Sequence, residues 1–285
     1  MTANSTATPH APTTEHGSAS ARRQVRRRRV AHQGPSSDQR TLPQLSLRGI
    51  LGVWAAAALP MGLLAWVVAP ALADHLSGPG SLSKALIICL TAGLVWQFVL
   101  VMTLVRREQG TLRFSVLRDA LWLRAPRSPR TGRRGWKAWL ITLPLIVAFG
   151  LEEMLPGMPH AAARDFGEFL GSDAGHTLLA GSWGWFAIIV TLLVCNTVIG
   201  EELLFRGFLL PRMNGVFGRK DWLANGVLFA AYHVHTPWVM PAALFDTFII
   251  SYPSKRYGSA LVGIVVHSAQ SVVLFGIVLS LVLKG

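Results

Sequence analysis

Two adjacent carboxylates, Glu201 and Glu202, lie in a stretch from Val198 to Gly207 that otherwise reads as a membrane-buried helix. Acids at membrane depth are costly, so a chain that keeps them tends to use them. Residues four apart share a helix face, which makes Glu202 and Arg206 neighbours at ion-pair spacing. Arg206 would hold Glu202 ionised, while Glu201 points about a quarter-turn away, toward a shared cavity. A partly desolvated carboxylate there suits general-base work. Two imidazoles follow on separate apolar segments, His233 and His267. Carboxylates and imidazoles gathered in an apolar bundle are the groups needed to activate water.

The elements that must carry these groups follow from hydropathy. Over half of the 285 residues (51%) are apolar, only 14% are charged, and the mean hydropathy is +0.42. That excludes an ordinary soluble domain and predicts an all-α, polytopic membrane helix bundle. About seven apolar segments are read: 50–73, 84–105, 137–151, 183–205, 222–236, 239–250 and 259–282. A span needs about 20 apolar residues. The third, fifth and sixth are short, so tilted, broken or re-entrant segments are expected there.

The net charge of +13 does not imply nucleic acid. Eight Arg precede residue 50 and ten Lys or Arg lie between Arg106 and Lys137; Arg212, Arg219, Lys220, Lys255 and Arg256 extend the pattern. The span order puts all these loops on one side, the positive-inside pattern. The expectation is an integral protein of the plasma (inner) membrane with a cytoplasmic N-terminus, partnered by the lipid bilayer and by no nucleic acid. Residues 1–45 are polar and Arg-rich and read as a disordered tail. Residues 46–182 read as accessory transmembrane helices and loops, and 183–285 as the catalytic bundle. Cys89 and Cys195 fall in apolar runs and read as fillers. Glu152 and Glu153 read as an exposed outer-loop pair, because no Arg follows four residues later.

Asn225, Phe229 and His233 are spaced by four and share one face, so Asn225 and Phe229 are candidates to line a substrate cavity. His235, far round the helix, reads as a packing residue. Ser259, Gly263, His267 and Ser271 form a stripe of small residues around one imidazole, which should point inward. Asp246 reads as an acid reaching an interface rather than as a member of the site.

At these residues the chain resembles the CAAX protease and bacteriocin-processing family of intramembrane proteases. The family pattern is Glu-Glu-x-x-x-Arg, then Phe-x-x-x-His, then His-x-x-x-Asn. Glu201 to Arg206 matches the first motif and Phe229 to His233 the second; the third keeps only His267, with Ser271 in place of Asn. The resemblance covers roughly residues 183–282. It implies an endopeptidase acting on peptides or membrane proteins, of the type II CAAX prenyl endopeptidase kind. In it Glu201 activates water, Glu202 and Arg206 organise the site, and His233 and His267 position water or stabilise an oxyanion. Ser271 stands where an oxyanion donor is expected, with Gln270 or Asn225 as possible substitutes. Glu201, His233 and His267 would satisfy three positions of a divalent metal such as zinc, yet a metal-free glutamate mechanism fits the same residues. Ser271 also leaves open a non-catalytic immunity or scaffold protein that binds a peptide or membrane partner.

Overall fold

The computed structural model describes residues 1–2, 42–152 and 158–284. The described chain is helical, with one isolated bridge between Arg127 and Arg134. Four helices are long and apolar enough to cross a membrane: α1 (Leu47–Ala73), α2 (Ser81–Gln109), α4 (Trp183–Arg212) and α7 (Ala260–Val282). Two of the remaining apolar segments form shorter helices, α3 (Thr142–Glu152) and α5 (Asp221–Tyr232), and the basic helix α6 (Tyr252–Tyr257) follows the sixth. The arrangement is an all-α membrane helix bundle; among the described residues four helices have full span length, and the third, fifth and sixth apolar segments are the short or broken ones, as expected.

Local chemistry explains the long helices. The Ser46 hydroxyl caps α1 by accepting from the Gly49 N–H at 3.2 Å. Pro60, inside α1, has no N–H to offer the carbonyl four residues back. That carbonyl, on Ala56, accepts instead from the Trp96 indole of α2 at 2.9 Å. Gly110 ends α2 in a left-handed conformation (φ 71°) and returns its N–H to the Arg106 carbonyl. Helix α4 departs from α geometry twice, with π turns at Cys195–Gly200 and Leu203–Leu209. Glu201 and Glu202 sit between them, and such turns recur at functional sites.

The short segments are short for visible reasons. Twelve residues of α5 rise only about 18 Å, against a hydrocarbon core of about 30 Å. The helix gives way to a 3-10 turn at His233–His235, shortly before Pro237. The sixth segment is broken into Pro237–Val239, Met240–Ala243 and a π turn at Thr247–Ser251.

Helix α2 runs through the centre, packed against α1 and α4. Gly93 faces Met61, and Gly200 lies against Leu94. Both close approaches need a residue without a Cβ. On α1 and α7 only 28% of the apolar window is buried within the protein. Leu59 and Val67 on α1 and Val272 and Val273 on α7 are more than half exposed, as apolar side chains facing lipid would be.

The basic loops gather at one end of the bundle. The Arg127 N–H donates to the Tyr257 carbonyl, and the Ala260 N–H to the Trp122 carbonyl. Phe114, in the short helix Phe114–Ala120, is exposed as a surface-lying segment requires. There Asp119, bonded by Arg124, has its carboxyl held below the usual range. Most of the proposed tail, residues 3–41, lies outside the described residues. Residues 42–45 are ordered against the bundle, with the Leu45 N–H on the Arg212 carbonyl at 3.0 Å. The exposed reading of Glu152 is corrected: it is buried at the end of α3, which packs on α7. Glu153 is outside the described residues.

Candidate active site

Glu202 is the hub. Its Oε1 accepts from Arg206 Nη1 at 3.0 Å and lies 3.2 Å from His267 Nδ1. Glu202 and Arg206 are wholly buried, so the expected i,i+4 pair forms deep inside the bundle. The Glu202 carboxylate can approach α7 because Gly263 is there. A Cβ at Gly263 would collide with Glu202 Oε2 and lie 2.9 Å from Ile250 Cγ2. The small-residue stripe therefore does the expected work, and His267 does point inward.

The imidazoles come from different helices. His267 is oriented by Glu202 on one side and by the edge of Phe149 from α3, 5.6 Å between centroids. Its Nδ1 faces the carboxylate, so Nε2 is the end left for a reactant. His233 Nδ1 lies 2.9 Å from the Phe229 carbonyl. A carbonyl can only accept, so Nδ1 carries the hydrogen and Nε2 keeps its lone pair. His235 stacks on His233 at 5.5 Å, the packing role read for it. Glu201 is 3% exposed and within electrostatic reach of His267, Glu202, Arg206 and Asp246.

Other candidates sit elsewhere than expected. Phe229 is buried beneath Arg206, with the guanidinium 3.9 Å from the ring centroid. It props the ion pair as a cation–π partner rather than lining a substrate cavity. Asn225 is fully buried and committed: its Nδ2 donates to the Phe205 carbonyl at 2.9 Å, and its Oδ1 accepts from Ser251 at 3.2 Å. With its amide spent on bracing helices, Asn225 is corrected from substrate contact and spare oxyanion donor to strut. The Ser271 hydroxyl lies 3.3 Å from Thr197 Oγ1, one turn before Glu201 on α4. Asp246, read as an interface acid, is buried near Glu201 and His267.

Two residues were missed. Gln97 Nε2 donates to the buried Tyr232 hydroxyl at 2.5 Å, and the Glu201 carboxylate is within electrostatic reach of it. The available signal was a lone amide in the apolar run of α2 and a tyrosine next to His233.

The donor set does not close around a metal. Among the described residues no three His, Cys, Asp or Glu side chains are grouped as ligands of one ion. His267 Nδ1 is turned to Glu202 and His233 Nδ1 to a backbone carbonyl, which leaves the Nε2 of each imidazole as its working nitrogen. No chemical step is derived through a metal.

No curated protein and no solved structure matches the chain. A family model does: residues 182–281 match type II CAAX prenyl endopeptidase Rce1-like, a stretch that holds Glu201, Glu202, Arg206, His233 and His267. That match agrees with the motifs read at Glu201, His233 and His267: over residues 182–281 the chain is similar to the CAAX protease family.

Proposed function

We propose that the chain is an intramembrane endopeptidase that hydrolyses a peptide bond with a water activated by Glu201. The observation that carries this is the hub on Glu202: one carboxylate oxygen takes both Arg206 and His267, while the adjacent Glu201 is engaged by neither at hydrogen-bond distance. Glu202 is spent on structure, which leaves Glu201 for proton transfer. Glu201 takes a proton from water, and the hydroxide adds to the carbonyl carbon. The resulting alkoxide is met by the Nε2–H of His267 as an imidazolium, whose Nδ1–H is held by Glu202. His233 Nε2 accepts from the water and fixes its position. The C–N bond then breaks as Glu201 returns its proton to the departing amine.

Glu201 lies eleven residues from the basic end of α4, about 16 Å along the axis. His267 is seven residues from the same end of α7, about 10 Å. The reading is of a cleft entered from the cytoplasmic side, acting on membrane-associated peptides or proteins in the plasma membrane. The test is cleavage of a fluorogenic peptide panel, with and without a prenylated cysteine, by detergent-purified protein. Glu201→Gln is expected to lower turnover by about 10²–10⁴-fold, the range for a general base, with unchanged thermal stability. Activity should persist in chelator, because the mechanism uses the carboxylate alone. A Glu201→Gln protein with wild-type turnover would end the proposal.

A second reading, a non-catalytic scaffold or immunity protein, has one observation in its favour. The Ser271 hydroxyl is turned to Thr197 instead of standing free as an oxyanion donor. A wild-type protein that binds the peptides and cuts none would select it.

A further inference from the structure

The 3-10 turn that carries His233 has a carbonyl its own chain cannot serve. A continued 3-10 turn would pair the Val234 carbonyl with the N–H three residues on, and that residue is Pro237, which has none. The carbonyl accepts instead from the Trp66 indole of α1 at 2.8 Å. Trp66 lies inside a candidate span, where water does not stand ready to replace a lost donor. The two segments are close here: a Cβ on Gly62, one turn before Trp66, would lie 3.2 Å from Val234 Cγ2. Trp66 is itself held. It sits in a π turn, Leu64–Val68, where carbonyls look five residues ahead, and five residues after Ala65 stands Pro70. The Ala65 carbonyl accepts from Arg164 Nη1 at 3.2 Å, and the same guanidinium lies 4.1 Å from the centroid of the Trp66 ring. The outer loop that supplies Arg164 also stacks His160 on Trp238, just past the turn, with 5.0 Å between centroids. Trp66 and Arg164 both lie outside the family-matched segment.

We infer that Trp66 is a positioning residue for His233, and that Arg164 acts through it by holding the indole in place. Val234 follows His233 directly, so a bond that fixes its carbonyl fixes the turn from which the imidazole projects. The Phe229 carbonyl sets the His233 ring against α5. The Trp66 bond sets where that end of α5 stands against the rest of the bundle. This rests on the reading of His233 as the group that places the reacting water. Trp54 supplies the comparison. Its indole also donates to α5, to the Leu228 carbonyl at 2.8 Å, but that carbonyl lies within regular helix and has the Tyr232 N–H four residues on as well.

The experiment uses full-length protein in detergent with the same peptide panel. It compares wild type, Glu201→Gln, His233→Ala, Trp66→Phe, Arg164→Ala, the Arg164→Ala/Trp66→Phe double variant and Trp54→Phe, with folded fraction normalised by size exclusion. Trp66→Phe keeps a ring and loses the N–H, and is expected to lower kcat by about 10-fold with KM unchanged, the cost of a misplaced reacting group. Arg164→Ala should lower kcat less, and should add nothing in the Trp66→Phe background, because the two act in series. Trp54→Phe should leave kcat near wild type, whereas a merely structural grip of α1 on α5 would move both tryptophan variants alike. Arg164→Ala alone carries the test if Trp66→Phe does not fold; if neither folds, the contact belongs to the scaffold and the inference is overturned. Wild-type kcat in Trp66→Phe or, where only it folds, in Arg164→Ala overturns it while Glu201→Gln and His233→Ala stay impaired. So does a rise in KM alone, an equal kcat loss in Trp54→Phe, or multiplying effects in the double variant. If wild type cleaves nothing, or Glu201→Gln or His233→Ala cleaves at the wild-type rate, the hydrolase reading fails and the inference falls with it.

Discussion

Arg206 and Arg212 stand six residues apart on α4, and both are wholly buried. Arg212 has every side-chain nitrogen bonded. It grips Glu108 of α2 through Nε at 2.7 Å and Nη2 at 2.8 Å, and its Nη1 reaches the Ala120 and Phe208 carbonyls. Arg206 makes one hydrogen bond, to Glu202, and rests on the face of Phe229; its Nε and Nη2 have no protein partner. The same residue type at the same burial thus plays two parts. A buried cation with all three of its nitrogens bonded fixes α2 and α4 in register. One with donors in reserve at a cluster of acids and imidazoles is the exception, since native proteins leave few buried donors unmet.

The contrast can be broken at its structural end first. Arg212→Met strands the Glu108 carboxylate, and removing one partner of a buried pair costs about 3–5 kcal/mol. Thermal midpoint and yield in detergent should fall sharply, while kcat per folded molecule stays near wild type. A stable but inactive Arg212→Met would show that the two arginines are not separable. Gly263→Ala acts at the other end. Its Cβ would meet Glu202 Oε2, so the carboxylate must shift from His267. We expect kcat to fall by about 10-fold or more, since small misplacements near the reacting groups are costly, with a smaller loss of stability than for Arg212→Met. The smallest effect should come from Ser271→Ala. A hydroxyl turned to Thr197 at 3.3 Å contributes little to a remote oxyanion. Turnover should change by about twofold or less, against the 10²–10³-fold loss typical of a true oxyanion donor. A loss of that size would return Ser271 to the reaction.

The legible parts of the site were those decided within one helix. Glu202 and Arg206 pair because four residues make one turn, and the stripe from Ser259 to His267 faces inward because its small side chains permit close approach. The illegible parts depend on neighbours. Asn225 was read as a cavity residue from its spacing, yet its amide braces Phe205 and Ser251 from other segments. Glu152 has the same sequence context as an exposed acid, and its burial follows from α3 lying on α7. Gln97 and Tyr232 are 135 residues apart, and no local period relates them.

From the sequence alone came the membrane bundle, the gathering of the basic loops at one end, and the identity of the acids and imidazoles, all of which depend on hydropathy, charge and short-range spacing. Tertiary structure alone decided which donor each polar atom meets. The π turns in α4, the broken fifth and sixth segments and the backbone approach at Gly263 set how each helix is rotated against the next. That rotation has no signature in the order of residues along any one helix, because it is fixed by the packing of all of them together.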